Sequence, residues 1–266
     1  MRGGRAAGIA VLLAAASVSV SACSTGESAH RVTVTADPSG SDTPQSESPV
    51  EVSTVDHAGN RYRVVTLPVK EWDIRVEWPD ADGVMLRDLL ADEPDIVAAT
   101  NAGIFSDDLT PGGLLISNGE ELRGLNLNEG GGNFHLLPNA VFGVTEAGTA
   151  EVVESSQFDA TGVTQATQSG PALLLDGEVH PEFNEGSANL AVRNGVGVSP
   201  DGATVYLAIS LSLTNLWDFA GLFAQELGVE DALYLDGDIS SLWVSGDAEP
   251  GPVDGPYAGV ITVRER

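Results

Sequence analysis

Three turn signals limit what this chain can become. Asn118-Gly119, Asp176-Gly177 and Pro200-Asp201-Gly202 each stand between two short runs of strand-forming residues. Such residues tolerate the backbone of tight reversals, so the runs on either side must pair antiparallel. Leu114–Ser117 is thereby joined to Glu121 and Leu122, Ala172–Leu175 to Val179 and His180, and Arg193–Val198 to Thr204–Ser210. Ala140–Val144 and Ala150–Val153 read as a further hairpin. Arg61–Val69 alternates like a strand, and Asp73–Trp78 places Ile74, Val76 and Trp78 on one face. Ile96–Ala99, Ala232–Leu235 and Tyr257–Val263 are apolar strands. Helical patterning is confined to Val84–Leu90, stopped by Pro94, and to Leu216–Leu227. In the latter, Leu216, Phe219, Ala220, Phe223 and Leu227 share a face, Thr214 or Asn215 caps the start and Gly228 ends it. These elements predict a single α+β domain, with a mixed, largely antiparallel sheet built from hairpins and two or three packed helices.

Composition separates the ends from this body. Arg2 and Arg5 precede an apolar run, Ile9–Ala16, that closes at Val20-Ser21-Ala22-Cys23. Residues 1–22 therefore read as an export signal, too short for a stable membrane span. Cys23 is the only cysteine and stands directly after small residues, as in the lipobox of bacterial lipoproteins. The expectation is a mature chain beginning at a lipidated Cys23, exported and held to the extracytoplasmic face of a bilayer, with no disulfide within the chain. Residues 23–51 are rich in Ser, Thr, Pro and Asp and poor in large apolar groups, which predicts a disordered tether before a folded domain at 52–266. With 39 Asp and Glu against 12 Lys and Arg, a nucleic-acid partner is excluded. One cation stands apart from this imbalance: between Arg123 and Arg264 the only Lys or Arg is Arg193.

Several apolar strands end in small and polar residues, which are costly to bury without partners. The segments are Asn101-Ala102-Gly103-Ile104-Phe105, Gln168-Ser169-Gly170-Pro171, Arg193-Asn194-Gly195-Val196-Gly197 and Leu235-Asp236-Gly237-Asp238-Ile239-Ser240-Ser241. In order and wording they resemble the phosphodiester glycosidase family. That family carries an Asn-Gly-Gly-Phe-like element, a Gln-Ser-Gly-Pro element, an Arg followed by an Ile/Val-Gly pair, and a late Leu-Asp-Gly-Gly-Gly-Ser element. The resemblance spans about Asn101 to Trp243. Ala102 and Ile104 interrupt the first element here, and Asp238-Ile239 replaces two glycines in the last, a form similar to a bacterial exported lipoprotein branch.

The resemblance implies hydrolysis of the glycosidic bond of a sugar-1-phosphodiester, in a glycan of the envelope or outside it. A phosphate leaving group is a weak base and scarcely needs a strong general acid. It does need a cation, and the sugar needs a carboxylate to support the oxocarbenium-like centre or activate water. Arg193, whose planar fork matches two phosphate oxygens, suits the first role, and Asp236 the second. The alternatives are a surface salt bridge for Arg193 and a self-capped turn for Asp236. Asn101, Phe105, Gln168, Ser169, Asn194, Ser240 and Ser241 are the candidate substrate-binding residues. Asp107, Asp108, Asp236 and Asp238 offer oxygens of the kind calcium takes, without EF-hand spacing, and Asp236 and Asp238 are the metal candidates. The histidines have no zinc spacing, Gly130–Gly132 lacks the Lys and helix of a phosphate loop, and Ser169 lacks a Gly-x-Ser-x-Gly elbow. A rival reading is a non-catalytic carbohydrate-binding or envelope-assembly lipoprotein, with Trp217 and Trp243 as sugar platforms.

Overall fold

A computed structural model describes residues 49–266 except 80, 238, 249 and 251–254. The export signal, Cys23, the tether as far as residue 48, and Asp238 lie outside the described residues. In chain order the strands are β1 (Glu51–His57), β2 (Asn60–Pro68), β3 (Trp72–Glu77), β4 (Ile96–Asn101), β5 (Leu115–Ser117), β6 (Glu120–Arg123), β7 (Ala140–Thr145), β8 (Ala150–Glu154), β9 (Val163–Ser169), β10 (Ala172–Leu175), β11 (Glu178–Val179), β12 (Asn194–Val198), β13 (Thr204–Ser210), β14 (Asp231–Asp236), β15 (Leu242–Val244) and β16 (Val260–Glu265). Helix α1 (Leu86–Asp92) follows β3 and α2 (Leu216–Gly221) follows β13.

The strands form three sheets, ordered β1-β2-β13-β12-β14-β10-β11, β15-β4-β16-β3 and β6-β5-β9-β7-β8. Every ladder among the described strands is antiparallel, so the expected mixed sheet is corrected to an antiparallel one in three parts. The turn dipeptides account for this outcome: Asn118, Gly119, Asp176 and Gly177 all have φ between 51° and 80°, as tight hairpins require. The helical content is smaller than expected, with two short α-helices among the described residues. The long helix predicted from Leu216 to Leu227 is α-helical only as far as Gly221, then widens to a π-helical turn over Leu222–Glu226. His57 of β1 presses on it there, its Nε2 lying 2.4 Å from where a Cβ on Gly221 would stand. No helix among the described residues is long and apolar enough to cross a membrane.

Alternation along the strands puts one main core where the three sheets meet. Val65 and Leu67 of β2, Val196 and Val198 of β12, and Leu233 and Leu235 of β14 face inward there. They meet Ile74, Val76, Ala98 and Ile261 from the four-stranded sheet and Ala140 and Phe142 from the five-stranded one. The opposite face of the seven-stranded sheet carries Tyr62, Val64, Ala208, Ala232 and Tyr234, and it is covered by Phe219 of α2 and Phe223 of the π-helical turn. Between those inward-facing valines, β12 offers Gly195 and Gly197 to the helix. A Cβ at Gly197 would stand 2.6 Å from Cδ1 of Phe223, and one at Gly195 would stand 3.1 Å from Cε1 of Phe219. Close seating of two phenyl rings on the sheet thus explains the Gly-Val-Gly-Val wording of β12. Asn215 rather than Thr214 caps α2, its Oδ1 accepting the Asp218 N–H at 2.8 Å.

Candidate active site

The polar residues at the ends of β4, β9, β12 and β14 are brought together by hydrogen bonds. Asn194 opens β12 directly opposite Asp236, which closes β14. Its amide Nδ2 donates to Thr100 Oγ1 at 2.9 Å and to Asn101 Oδ1 at 2.8 Å, both on β4 of the neighbouring sheet. Its Oδ1 accepts the backbone N–H of Asp236 at 3.1 Å and Nδ2 of Asn101 at 3.3 Å. Asn101 Oδ1 in turn accepts the Ser241 N–H at 3.1 Å. Ser169 at the end of β9 donates its hydroxyl to Leu235 O at 3.0 Å and accepts the Ile104 N–H at 3.1 Å. Ser240 Oγ donates to Asp236 O at 2.7 Å, folding the loop back on the strand end. These groups join all three sheets at one corner, with Asp236 on its rim. The Asp236 side chain accepts its neighbour's N–H, Gly237 N to Oδ1, at 2.5 Å, while the residue stays 9% exposed.

Arg193 immediately precedes this corner and is 3% exposed. Its Nη1 donates to Tyr234 Oη at 2.8 Å, and its Nη2 to both O and Oδ1 of Asn189 at 3.2 and 3.1 Å. Nε reaches Thr214 O at 3.4 Å, and the guanidinium carbon lies 5.4 Å from the centre of the Tyr234 ring. Among the described residues no carboxylate forms an ion pair with it. A buried cation held by neutral acceptors retains its field, which a bound anion can use. A guanidinium has five N–H donors, and these contacts engage four of them, leaving one on Nη1. A two-oxygen fork is therefore not presented in this conformation; what is offered is one donor and the charge. Nη1 itself lies beside Gly237, where a Cβ would stand 2.7 Å from Nη1 and 1.9 Å from Tyr234 Oη. Glycine at 237 is what lets the arginine lie beside the Asp236 turn.

The other candidates are placed differently. Gln168 lies outside the corner and is only 1% exposed. Its Oε1 accepts from Leu114 N and Asn126 N at 3.0 and 2.9 Å, and its Nε2 donates to Asn126 O and Ser155 Oγ at 2.8 and 3.0 Å. An amide so engaged braces a loop and has no donor left for a ligand. Phe105, like Ile239 and Trp243, packs against the cluster of Leu86, Leu89, Ile96 and Ala99 on the α1 side of the four-stranded sheet. Ser241 Oγ donates to Pro250 O at 2.7 Å. Asp108, fully exposed, is held below the usual carboxylate pKa by hydrogen bonds from Ser106 and Thr110, which engage it in its own turn. Among the described residues no three His, Cys, Asp or Glu side chains gather as a metal site.

Three residues that the motifs do not contain complete the surroundings of Arg193: Tyr234, Asn189 and Thr214. Tyr234 stands two positions before Asp236, on the helix-facing side of β14, a spacing visible in the sequence once the strand is known. Asn189 and Thr214 come from irregular segments and carry no periodic signal. Asn189 also forms part of the wall of an open cleft of about 110 Å³, with Asn133, Glu182, Asn184, Ser187 and Trp217 around it.

Comparison with known proteins agrees with this arrangement. Residues 94–263 match the family model for phosphodiester glycosidases. Uncharacterized protein YigE of Escherichia coli K12 is 37% identical over 200 residues, covering 73% of this chain and 78% of that protein. In fold, the chain is similar to the zebrafish N-acetylglucosamine-1-phosphodiester alpha-N-acetylglucosaminidase catalytic domain auto-inhibited by pro-peptide. The TM-score is 0.58 at 20% identity, with 85% of each chain covered. A hypothetical protein from Synechocystis gives a TM-score of 0.55 at 16% identity, over 82% of this chain and 62% of that one. With the motif-bearing strands all inside the matched region, the chain belongs to the phosphodiester glycosidase family.

Proposed function

We propose that this protein hydrolyses the bond between C1 of a sugar and the phosphate of a sugar-1-phosphodiester, in a glycan of the envelope or its surroundings, exported and anchored through lipid on Cys23. The observation that carries this reading is Arg193, a buried cation beside the Asp236 turn with no described carboxylate paired to it. Water adds its oxygen to C1, the C1–O bond to phosphate breaks, and the products are a free sugar and a phosphomonoester of the second alcohol. Arg193 stabilises the charge on the departing phosphate through its field and its remaining Nη1 donor. Asp236 either takes the proton of the attacking water or bonds to C1 itself, and both routes need its carboxylate ionised. Asn101, Ser169, Asn194 and Ser240 act one step back: they hold the Asp236 backbone and its loop so that the carboxylate meets C1 in a fixed geometry.

The test is turnover of a sugar-1-phosphodiester by the full chain, read as free reducing sugar. Asp236→Asn should lower kcat/KM by about 10²–10⁴-fold, the range for loss of a positioned acid–base group. Unchanged turnover in that variant would remove Asp236 from the mechanism. Binding of glycan fragments by the wild-type chain, with no hydrolysis at any pH or with added calcium, would favour the carbohydrate-binding reading instead.

A further inference from the structure

Four apolar side chains stand exposed where the chain runs into β12 and out of β13. Leu190 is 51%, Leu211 52%, Leu213 60% and Trp217 36% exposed. Beyond the paired strands, Ala191 and Thr214 exchange backbone hydrogen bonds at 3.1 and 2.9 Å. Thr214 turns inward, its Oγ1 3.1 Å from Tyr62 Oη, so Leu213 beside it and Leu190 across the pair are directed to the opposite side. Leu211 lies two residues before Leu213. Trp217 stands in the first turn of α2 and shares a cleft wall with Asn189, the residue before Leu190. The four form one patch.

Charge sets this patch apart from the rest of the chain. In a sequence with 39 Asp and Glu, residues 186–192 and 202–217, which supply it, contain no Asp, Glu, Lys or Arg. Arg61, whose carbonyl accepts the Leu211 N–H at 2.8 Å, lies at its margin with Glu182 and Asp218. By contrast, the exposed leucines Leu122, Leu125 and Leu127 stand among Glu120, Glu121, Arg123 and Glu129. A net charge of −27 repels a second copy and anionic headgroups from most of the surface. An uncharged group of leucines with an indole escapes that repulsion. Leucines enter the acyl boundary of a bilayer, and tryptophan favours its headgroup level.

We propose that Leu190, Leu211, Leu213 and Trp217 are the surface by which this domain rests on a lipid bilayer. The proposal rests on the export and lipid-anchor reading, which puts a bilayer within reach: residues 23–50, 28 in all, span at most about 100 Å. β1 begins at Glu51, about 20 Å of strand from the turn at Asn60. Asn60 Nδ2 donates to Thr214 Oγ1 at 3.3 Å and its Oδ1 accepts from Ser212 Oγ at 3.1 Å, so the patch lies at the turn end. The anchored segment thus joins the domain at the far end of β1, and its length more than covers that distance with the patch on the lipid. Asn189 and Thr214, which neighbour Leu190 and Leu213, also hold Arg193, so docking brings the candidate site to the membrane surface.

Residues 44–266 form one compact unit holding every described element, so the chain Ser24–Arg266 tests the patch without export signal or acyl group. It should co-sediment with phosphatidylcholine vesicles, and about 1 M salt should leave the binding in place, since salt screens charge attraction and spares apolar burial. Leu190→Ser Leu211→Ser Leu213→Ser should weaken partitioning by about tenfold or more, and Leu122→Ser Leu125→Ser Leu127→Ser should leave it unchanged. Brominated phosphatidylcholine should quench part of the tryptophan emission, and Trp217→Phe should abolish that quenching; this readout decides even where the triple variant fails to fold. Absent binding, binding lost in salt, equal loss in both triple variants, or quenching that survives Trp217→Phe overturns the proposal. So does a dimer, dissociated by the patch substitutions, that binds no vesicles, which would give the patch to a second copy. The lipid anchor is read separately, from membrane partition of the full chain against its Cys23→Ala variant, and fails or stands independently of the patch.

Discussion

Replacing Asn194 by alanine separates a structural latch from a substrate ligand. The side chain is 1% exposed and makes contacts to Thr100, Asn101, Asp236 and Ser240. Most of these partners keep another contact when it is removed. Thr100 Oγ1 still donates to Ser241 O, Asn101 Oδ1 still accepts from Ser241 N, Asn101 Nδ2 still reaches Ala102 O, and Ser240 Oγ still donates to Asp236 O. The backbone N–H of Asp236 loses its bond to Asn194 Oδ1, and the two bonds from Asn194 Nδ2 to Thr100 and Asn101 are lost with it. At a net of about 0.5–1.5 kcal/mol each, the three give a total of about 1.5–4.5 kcal/mol. For a domain of this size that lowers Tm by roughly 3–18 °C, measurable by calorimetry. Because one of the lost bonds holds the Asp236 backbone, kcat should fall with little change in KM. A variant with unchanged Tm and a raised KM would refute the latch and return Asn194 to direct contact with substrate.

Gly197→Ala sets strand propensity against crowding. Alanine is better than glycine in a strand by about 0.5–1 kcal/mol, but a Cβ at 2.6 Å from Phe223 forces the ring aside, at about 1–3 kcal/mol. A net loss in the denaturant midpoint is expected, and a gain would show that the π-helical turn carrying Phe223 is not seated as described. His180 is 3% exposed, stacks on Phe183 and accepts the Glu182 N–H at Nδ1, and burial holds its pKa below the ordinary value of about 6.5. The unfolded chain therefore takes up the proton first as pH falls. Stability is full above about 6.5 and declines as pH drops below it, by at most about 1.4 kcal/mol per unit. His180→Phe should flatten that part of the stability profile, and an unaltered profile would assign the slope to other groups.

The hairpins were legible because their turns are local chemistry: Asn118-Gly119 and Asp176-Gly177 dictate their own geometry and the pairing of their neighbours. β9 was less so, since Thr164, Gln165, Thr167 and Gln168 hide a strand that is nonetheless central in its sheet. β1 was missed because both its faces are largely exposed and it lacks apolar alternation. The residues of the candidate site could be named from their placement at strand tips and from resemblance, but not their division of labour. Gln168 and Asn101 are as polar in sequence as Arg193; only the folded geometry shows that their amides are engaged by the protein itself. The position of Arg193 between Asp236 and a cleft depends on Tyr234, Asn189 and Thr214, which meet only through tertiary packing.

The order of strands in the smallest sheet bears on how the site comes into being as the chain is made. β16 lies between β3 and β4, pairing Val260 with Asn101 and offering Gly259 O to the Ala102 N–H. The pairing joins segments about 160 residues apart, so β4 has no partner on that side until β16 has been synthesised. Contacts of such long range form slowly, because the intervening chain must be closed before any of them contributes. Asn101, and through it Asn194 and Asp236, can reach their final places only after the 260s have folded back between the two earliest strands of that sheet. A nascent chain carrying every motif residue would still be without a finished site.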